Sequence, residues 1–120
     1  MRNINKLGRF LFAIPFAAFG LMHLTNAGQM AGMVPGFIPG GVLWVYLTGL
    51  GMLAASVSFF IRKQVGLAGQ ALAGLLILFV ATIHIPGLIG GNSMSMVAVL
   101  KDLSLAGGSL IMAQAYGEDE

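Results

Sequence analysis

Four side chains in this sequence are equipped to move protons: His23, His84, Lys101 and Asp102. The two histidines are the only ones in the chain, and Lys101 and Asp102 are the only charged residues between Lys63 and Glu118. An imidazole changes its protonation near neutral pH, and a carboxylate beside it orients the ring and favours its charged form. All four residues lie in or beside strongly apolar sequence. A charge at the centre of a membrane costs ~2.5–3.5 kcal/mol even on lenient insertion scales, so such residues turn inward and pair. Lys101 and Asp102 are adjacent and project about 100° apart around a helix, so they form one neutralised pair or each takes a partner elsewhere. Asp102 against His23 or His84 is the expected arrangement, giving a proton-handling site. The plainer alternative is a buried Lys–Asp pair that only fixes helix packing, with histidines that are merely wet.

The elements that position these residues follow from composition. The chain has 120 residues, 58% hydrophobic and 8% charged, against about 25% charge in ordinary soluble domains. That is too little charge to solvate a surface. Eighteen glycines suit membrane helices, which tolerate Gly better than soluble ones. The absence of Cys excludes disulfides, thiolate metal sites and dithiol redox chemistry within the chain. A net charge of +2, placed near membrane ends, argues against nucleic-acid binding. The eight methionines read as packing and lipid-facing residues, and no metal site is expected.

Four apolar stretches, residues 7–24, 42–61, 66–85 and 94–115, each approach the roughly 20 residues that span a bilayer. Their continuity, without alternation, excludes barrel strands. The expected fold is all-α: a single integral membrane four-helix bundle over residues 1–120. Arg2, Lys6 and Arg9 before an apolar run also fit a secretory signal, but the segment is read as a retained first helix. These three residues, with Arg62 and Lys63, carry the positive charge of two ends. The connections 25–41 and 86–93 carry no Lys or Arg. The positive-inside rule therefore places both termini and the 62–65 turn in the cytoplasm, in a bacterial-type inner membrane. His23, His84, Lys101 and Asp102 then all fall in the outer half of the bilayer. Trp44 and Tyr46 suit the outer interface belt and Tyr116 the inner one.

The outer connection Val34-Pro35-Gly36-Phe37-Ile38-Pro39-Gly40-Gly41 is apolar and rich in Pro and Gly, as in a short re-entrant or interfacial cap. The short 62–65 turn predicts that the second and third helices are antiparallel neighbours. Small residues four apart predict close helix contacts at Ala13/Ala17, Ala54/Ser58, Gly69/Ala73 and Ser104/Gly108. Asn26, Gln29 and Asn92 read as loop solvation and caps.

Several of these motifs together resemble the DoxX family of small four-helix membrane proteins. They are Gly8-Arg9 opening the first helix, Phe19-Gly20-Leu21-Met22-His23 closing it, and the Pro35/Pro39 loop. His84 at the end of the third helix and Leu100-Lys101-Asp102-Leu103-Ser104-Leu105-Ala106-Gly107-Gly108 in the fourth complete the set. The resemblance implies a subunit of a redox membrane complex, linked to quinones or to thiol and oxidative-stress defence, with protein partners beside the lipid bilayer. It leaves open whether the chain is itself enzymatic. Three functions remain. In the first, the chain is an oxidoreductase subunit that handles a quinone or other small molecule through Asp102, Lys101, His23 and His84, which requires a lateral or outer opening between helices. In the second, it is a structural or assembly subunit without chemistry. In the third, it is a haem b protein with His23 and His84 as axial ligands.

Overall fold

A computed structural model of the chain describes residues 2–33, 36 and 39–117, and these form an all-α bundle without strands among the described residues. Helix α1 is Arg2–Thr25, followed by the short helix α2, Ala27–Met30, and a 3₁₀ turn, Ala31–Met33. Helix α3 is Gly41–Ile61 and α4 is Val65–Phe79. A π-helical turn, Val80–His84, joins α4 to α5, Ile85–Ile89, and α6 is Met94–Gly117. The first helix thus starts earlier than the apolar run, and the third span continues through Pro86 to Ile89. The connection after it shrinks to residues 90–93. Between α1 and α3 the chain is partly helical, whereas Val34, Pro35, Phe37 and Ile38 of the Pro/Gly-rich segment lie outside the described residues, as does the Glu118-Asp119-Glu120 tail.

Four helical stretches are long and apolar enough to cross a membrane: Lys6–Thr25, Gly41–Ile61, Val65–Ile89 and Met94–Gly117. No more than 33% of the positions in any of these spans is buried within the protein, so its surroundings must cover the rest. Leu11, Leu21, Leu50, Ile61, Leu67 and Ile111 all stand more than half exposed on the outside. The outer surface is apolar, as a lipid environment requires.

The bundle is built from two helix pairs. Helix α1 packs along α3 and α4 along α6, while α3 and α4, although joined by a tight turn, touch far less. The expected neighbours do meet, but they are not the main packing partners. Close approach explains the pairing. A Cβ on Gly20 would lie 2.9 Å from the Gly49 carbonyl oxygen, and a Cβ on Gly49 would lie 2.7 Å from His23 Cβ. In the other pair, a Cβ on Gly69 would lie 2.5 Å from the Ser109 carbonyl oxygen, and one on Gly117 2.7 Å from Gly66 Cα. Only glycine lets these backbones come so near, which matters where hydrophobicity cannot drive helices together. Buried Ser56 adds a hydroxyl donated to the Ala13 carbonyl at 2.8 Å, tying α3 to α1. Of the expected small-residue pairs, Gly69/Ala73 packs against α6, but Ala54/Ser58 faces an open cleft and Ser104 faces outward. Residue size alone does not say which helix a small face will meet.

An aromatic ladder fills the centre. Phe16 lies 5.1 Å from Phe12 and 6.2 Å from Phe19, ring centre to ring centre, and Phe12 lies 5.7 Å from Phe59 of α3. Phe12 also sits on Gly108, where a Cβ would come within 2.8 Å of the ring, and so brings α6 against α1.

At the end of the bundle that holds both chain ends, Arg9 Nη1 donates to the carbonyls of Phe59 and Phe60, each at 2.7 Å. The last carbonyls of any helix lack intrahelical donors, and a cation there also meets the negative end of the dipole. The guanidinium groups of Arg9 and Arg62 lie 5.6 and 5.1 Å from the Tyr116 ring of α6. The α3–α4 turn passes through Arg62 and Gln64, both left-handed at φ 57° and 58°, and the Arg62 amide closes α3 on the Ser58 carbonyl.

Candidate functional site

At the opposite end, local backbone irregularity aims His84. Pro86 has no N–H and its ring crowds the carbonyl four residues back, so a regular α-helix cannot continue through it undisturbed. The chain widens instead into the π turn Val80–His84, and the Ile85 amide reaches back five residues to the Val80 carbonyl. Such turns insert one residue into the helical register and rotate the next part of the helix about its axis. Gly87 then lies against Ser95 with no room for a Cβ, which brings α5 onto α6. The start of α6 is held by Asn92, whose Oδ1 accepts from the Met94 amide at 3.0 Å. Asp102 lies eight residues further on, about 12 Å along the helix axis.

These two placements bring His84 and Asp102 together: His84 Nε2 lies 3.0 Å from Asp102 Oδ2. Lys101 Nζ lies 3.6 Å from the other carboxylate oxygen, Oδ1. Asp102 therefore joins both of the arrangements open to it, the sequence neighbour and a histidine on the third span. The carboxylate is buried and His84 nearly so, while Lys101 is about half exposed. Lys101 Nζ also stands 5.5 Å from the centre of the Phe19 ring, which links this cluster to α1. The Nε2–H of His84 donates to Asp102, so His84 Nδ1 is left to accept a proton or hold one.

His23 stands apart from the pair. Its Nδ1 donates to the Phe19 carbonyl of its own helix at 2.7 Å, leaving Nε2 to face outward from that bond. Its position beside Gly49 is fixed by the α1–α3 crossing. The two imidazoles thus commit different nitrogens, and His84 gives its Nε2 to a carboxylate.

Both histidines, Lys101 and Asp102 line one cleft of about 930 Å³. The cleft is walled by α1, α3, α4 and α6 and runs between α3 and α4 from Gln64 and Leu67 to Trp44, Thr82 and His84. Its sides are apolar for most of that length, and its charged and titratable groups gather at the histidine end. This volume falls at the upper end of the range for small-molecule sites, which pair apolar walls with a few convergent polar groups. The arrangement can seat an apolar molecule, donate hydrogen bonds to an oxygen at one end and exchange a proton there.

Two contributions were not visible in the residue pattern. Pro86, next but one to His84, was the available signal for the irregular turn. Arg9 looked like one more positive charge at a membrane end, yet it caps α3. Compared with protein-family models, curated proteins and solved structures, the chain matches none.

Proposed function

We propose that this chain is a DoxX-like integral membrane subunit of a redox complex that binds a quinone or a similar carbonyl-bearing small molecule. The observation that supports this is the long apolar cleft ending at His84, Asp102 and Lys101. In this reading both termini and the 62–65 turn are cytoplasmic, and the polar end of the cleft lies in the outer half of a bacterial-type inner membrane. A ring carbonyl at the polar end would accept from Lys101 Nζ and from His23 Nε2–H when that nitrogen is protonated. Negative charge that develops on the carbonyl oxygen would be met by Lys101. His84, oriented by Asp102, supplies or collects the proton. The chain has no Cys, so electrons come from a partner subunit rather than from thiols here.

The second reading, a structural or assembly subunit, is favoured by one fact: the Asp102 carboxylate is already partnered inside the chain. Native purification in mild detergent, with an optical spectrum and mass spectrometry of whatever travels with the chain, separates the two. A bound quinone or a redox enzyme in fixed ratio supports the first. Activity of the purified complex that survives Lys101→Met with Asp102→Leu, in a chain that still folds, sinks it in favour of the second.

A further inference from the structure

The cleft is much larger than a single ring needs, and its excess volume has a direction. Along α4 and the π turn that follows it, the cleft is lined from Leu67 to Thr82, fifteen residues or about 22 Å of helix. Over that length Phe16, Phe19 and Phe79 line it together with a run of small residues, Gly51 and Ala54 on α3 and Ala68 and Ala71 on α4. A Cβ built on Gly51 meets nothing within 4 Å, so the seam there is open space rather than packed backbone. The rims are Leu47 on α3 and Leu67 and Leu78 on α4, which stand 48%, 67% and 55% exposed. Those rims face the same surroundings as the apolar outer surface, so the cleft is open sideways along its length. Charge among the lining residues is confined to one end, where Lys101 offers a cationic donor beside Asp102.

Resting on the quinone-binding reading of the site, we propose that the seam between α3 and α4 is a tail channel. The ligand is a long-chain lipid with a carbonyl head, of the polyprenyl quinone type, taken laterally from the bilayer. Its head docks at Lys101, Asp102 and His84, and its chain lies along Gly51, Ala54 and Ala71. A tail gains little by leaving lipid for an apolar groove, since both are hydrocarbon. The channel therefore acts through access: a head that carries a tail reaches the polar end only if the seam can hold that tail. A tail-less head needs no seam.

The single tryptophan, Trp44, lines the same cleft and reports occupancy through quenching of its fluorescence. The test uses the full chain in lipid nanodiscs, titrated with a polyprenyl benzoquinone and with the same ring lacking its tail. Gly51→Leu and Ala71→Leu fill the seam, and the open space at Gly51 makes that replacement tolerable for folding. Gly74→Leu is the control, because a Cβ there also meets nothing and the residue does not line the cleft. The expected result is at least a tenfold loss of apparent affinity for the tailed quinone in the seam variants. The tail-less ring should change less than twofold, and Gly74→Leu should change neither. Equal retention of the tailed ligand in all variants, or equal loss of both ligands, overturns the channel while leaving the head site in place. Absence of quenching by either ligand in the unaltered chain overturns the quinone reading itself, and the channel with it.

Discussion

The relative strength of the two contacts on Asp102 can be measured by double-mutant cycles, and the structure sets their order. The His84 contact is a hydrogen bond of 3.0 Å between groups that are both largely buried. Hydrogen bonds to a charged group contribute about 1.5–3 kcal/mol in soluble proteins. In membrane bundles the unfolded reference also finds partners, and measured couplings average about 0.6 with a maximum near 1.7 kcal/mol. A coupling of about 1–1.7 kcal/mol is expected for His84 with Asp102. The Lys101 contact is longer, at 3.6 Å, and its ammonium is about half exposed. At that distance, and with a freer ammonium, the Lys101–Asp102 coupling should be the smaller of the two, near the membrane-bundle average of about 0.6 kcal/mol. The cycles use His84→Ala, Lys101→Ala and Asp102→Ala, alone and in pairs, with reversible unfolding in mixed micelles as the readout. A Lys101–Asp102 coupling larger than that of His84–Asp102 would refute the assignment of His84 as the partner that holds the carboxylate.

Three further outcomes are expected from the packing. Gly69→Leu puts a side chain where a Cβ already meets the Ser109 carbonyl at 2.5 Å, so it should separate α4 from α6 and cost at least about 1–3 kcal/mol. Thermal unfolding in detergent checks this; stability within about 0.5 kcal/mol of the parent chain would contradict the close crossing. Arg9→Met removes both donors from the carbonyls of Phe59 and Phe60 and should cost about 1–2 kcal/mol, with Arg9→Lys recovering only part because an ammonium lacks the planar fork. Ser109 carries a fully buried hydroxyl with no hydrogen-bond partner among the described residues, so Ser109→Ala should leave stability unchanged or raise it by up to about 1 kcal/mol, and a clear loss in the same assay would mean that the hydroxyl is engaged.

The helices were legible in the residue order because lipid imposes length and polarity on a span, and apolar runs near 20 residues have few other uses. The partnership of those helices was not legible. Gly69/Ala73 and Ala54/Ser58 have the same spacing and chemistry, yet one packs against a neighbour and the other borders open space. That choice depends on the whole set of crossings, Gly20 on Gly49 and Gly66 on Gly117 among them. The Asp102–histidine pairing was legible from cost, since a buried carboxylate must find donors. Which histidine it would take was settled by the π turn beside Pro86, a local event that moves His84 around its helix. His23 had a nearer acceptor in its own backbone. A cleft leaves no residue signature at all beyond smallness, because it is made by what four helices fail to fill.

The Arg9 contacts have a mechanical consequence. At the end that carries both chain ends, Arg9 binds α1 to the last carbonyls of α3, Tyr116 of α6 lies by Arg9 and Arg62, and a three-residue turn joins α3 to α4. Further along, the two helix pairs are joined by core packing, by Phe12 on Gly108 and, near the polar end, by a lysine over the Phe19 ring. Such a fastening predicts a tongs-like motion, in which a small rotation about the fastened end becomes a displacement that grows with distance along α3 and α4. Amide exchange should accordingly quicken from Phe59 toward Thr48 on one arm and from Leu72 toward Thr82 on the other. The polar groups sit toward the far ends of the arms, and the fastening at Arg9 that sets the stroke lies fourteen residues, about 21 Å of helix, from His23.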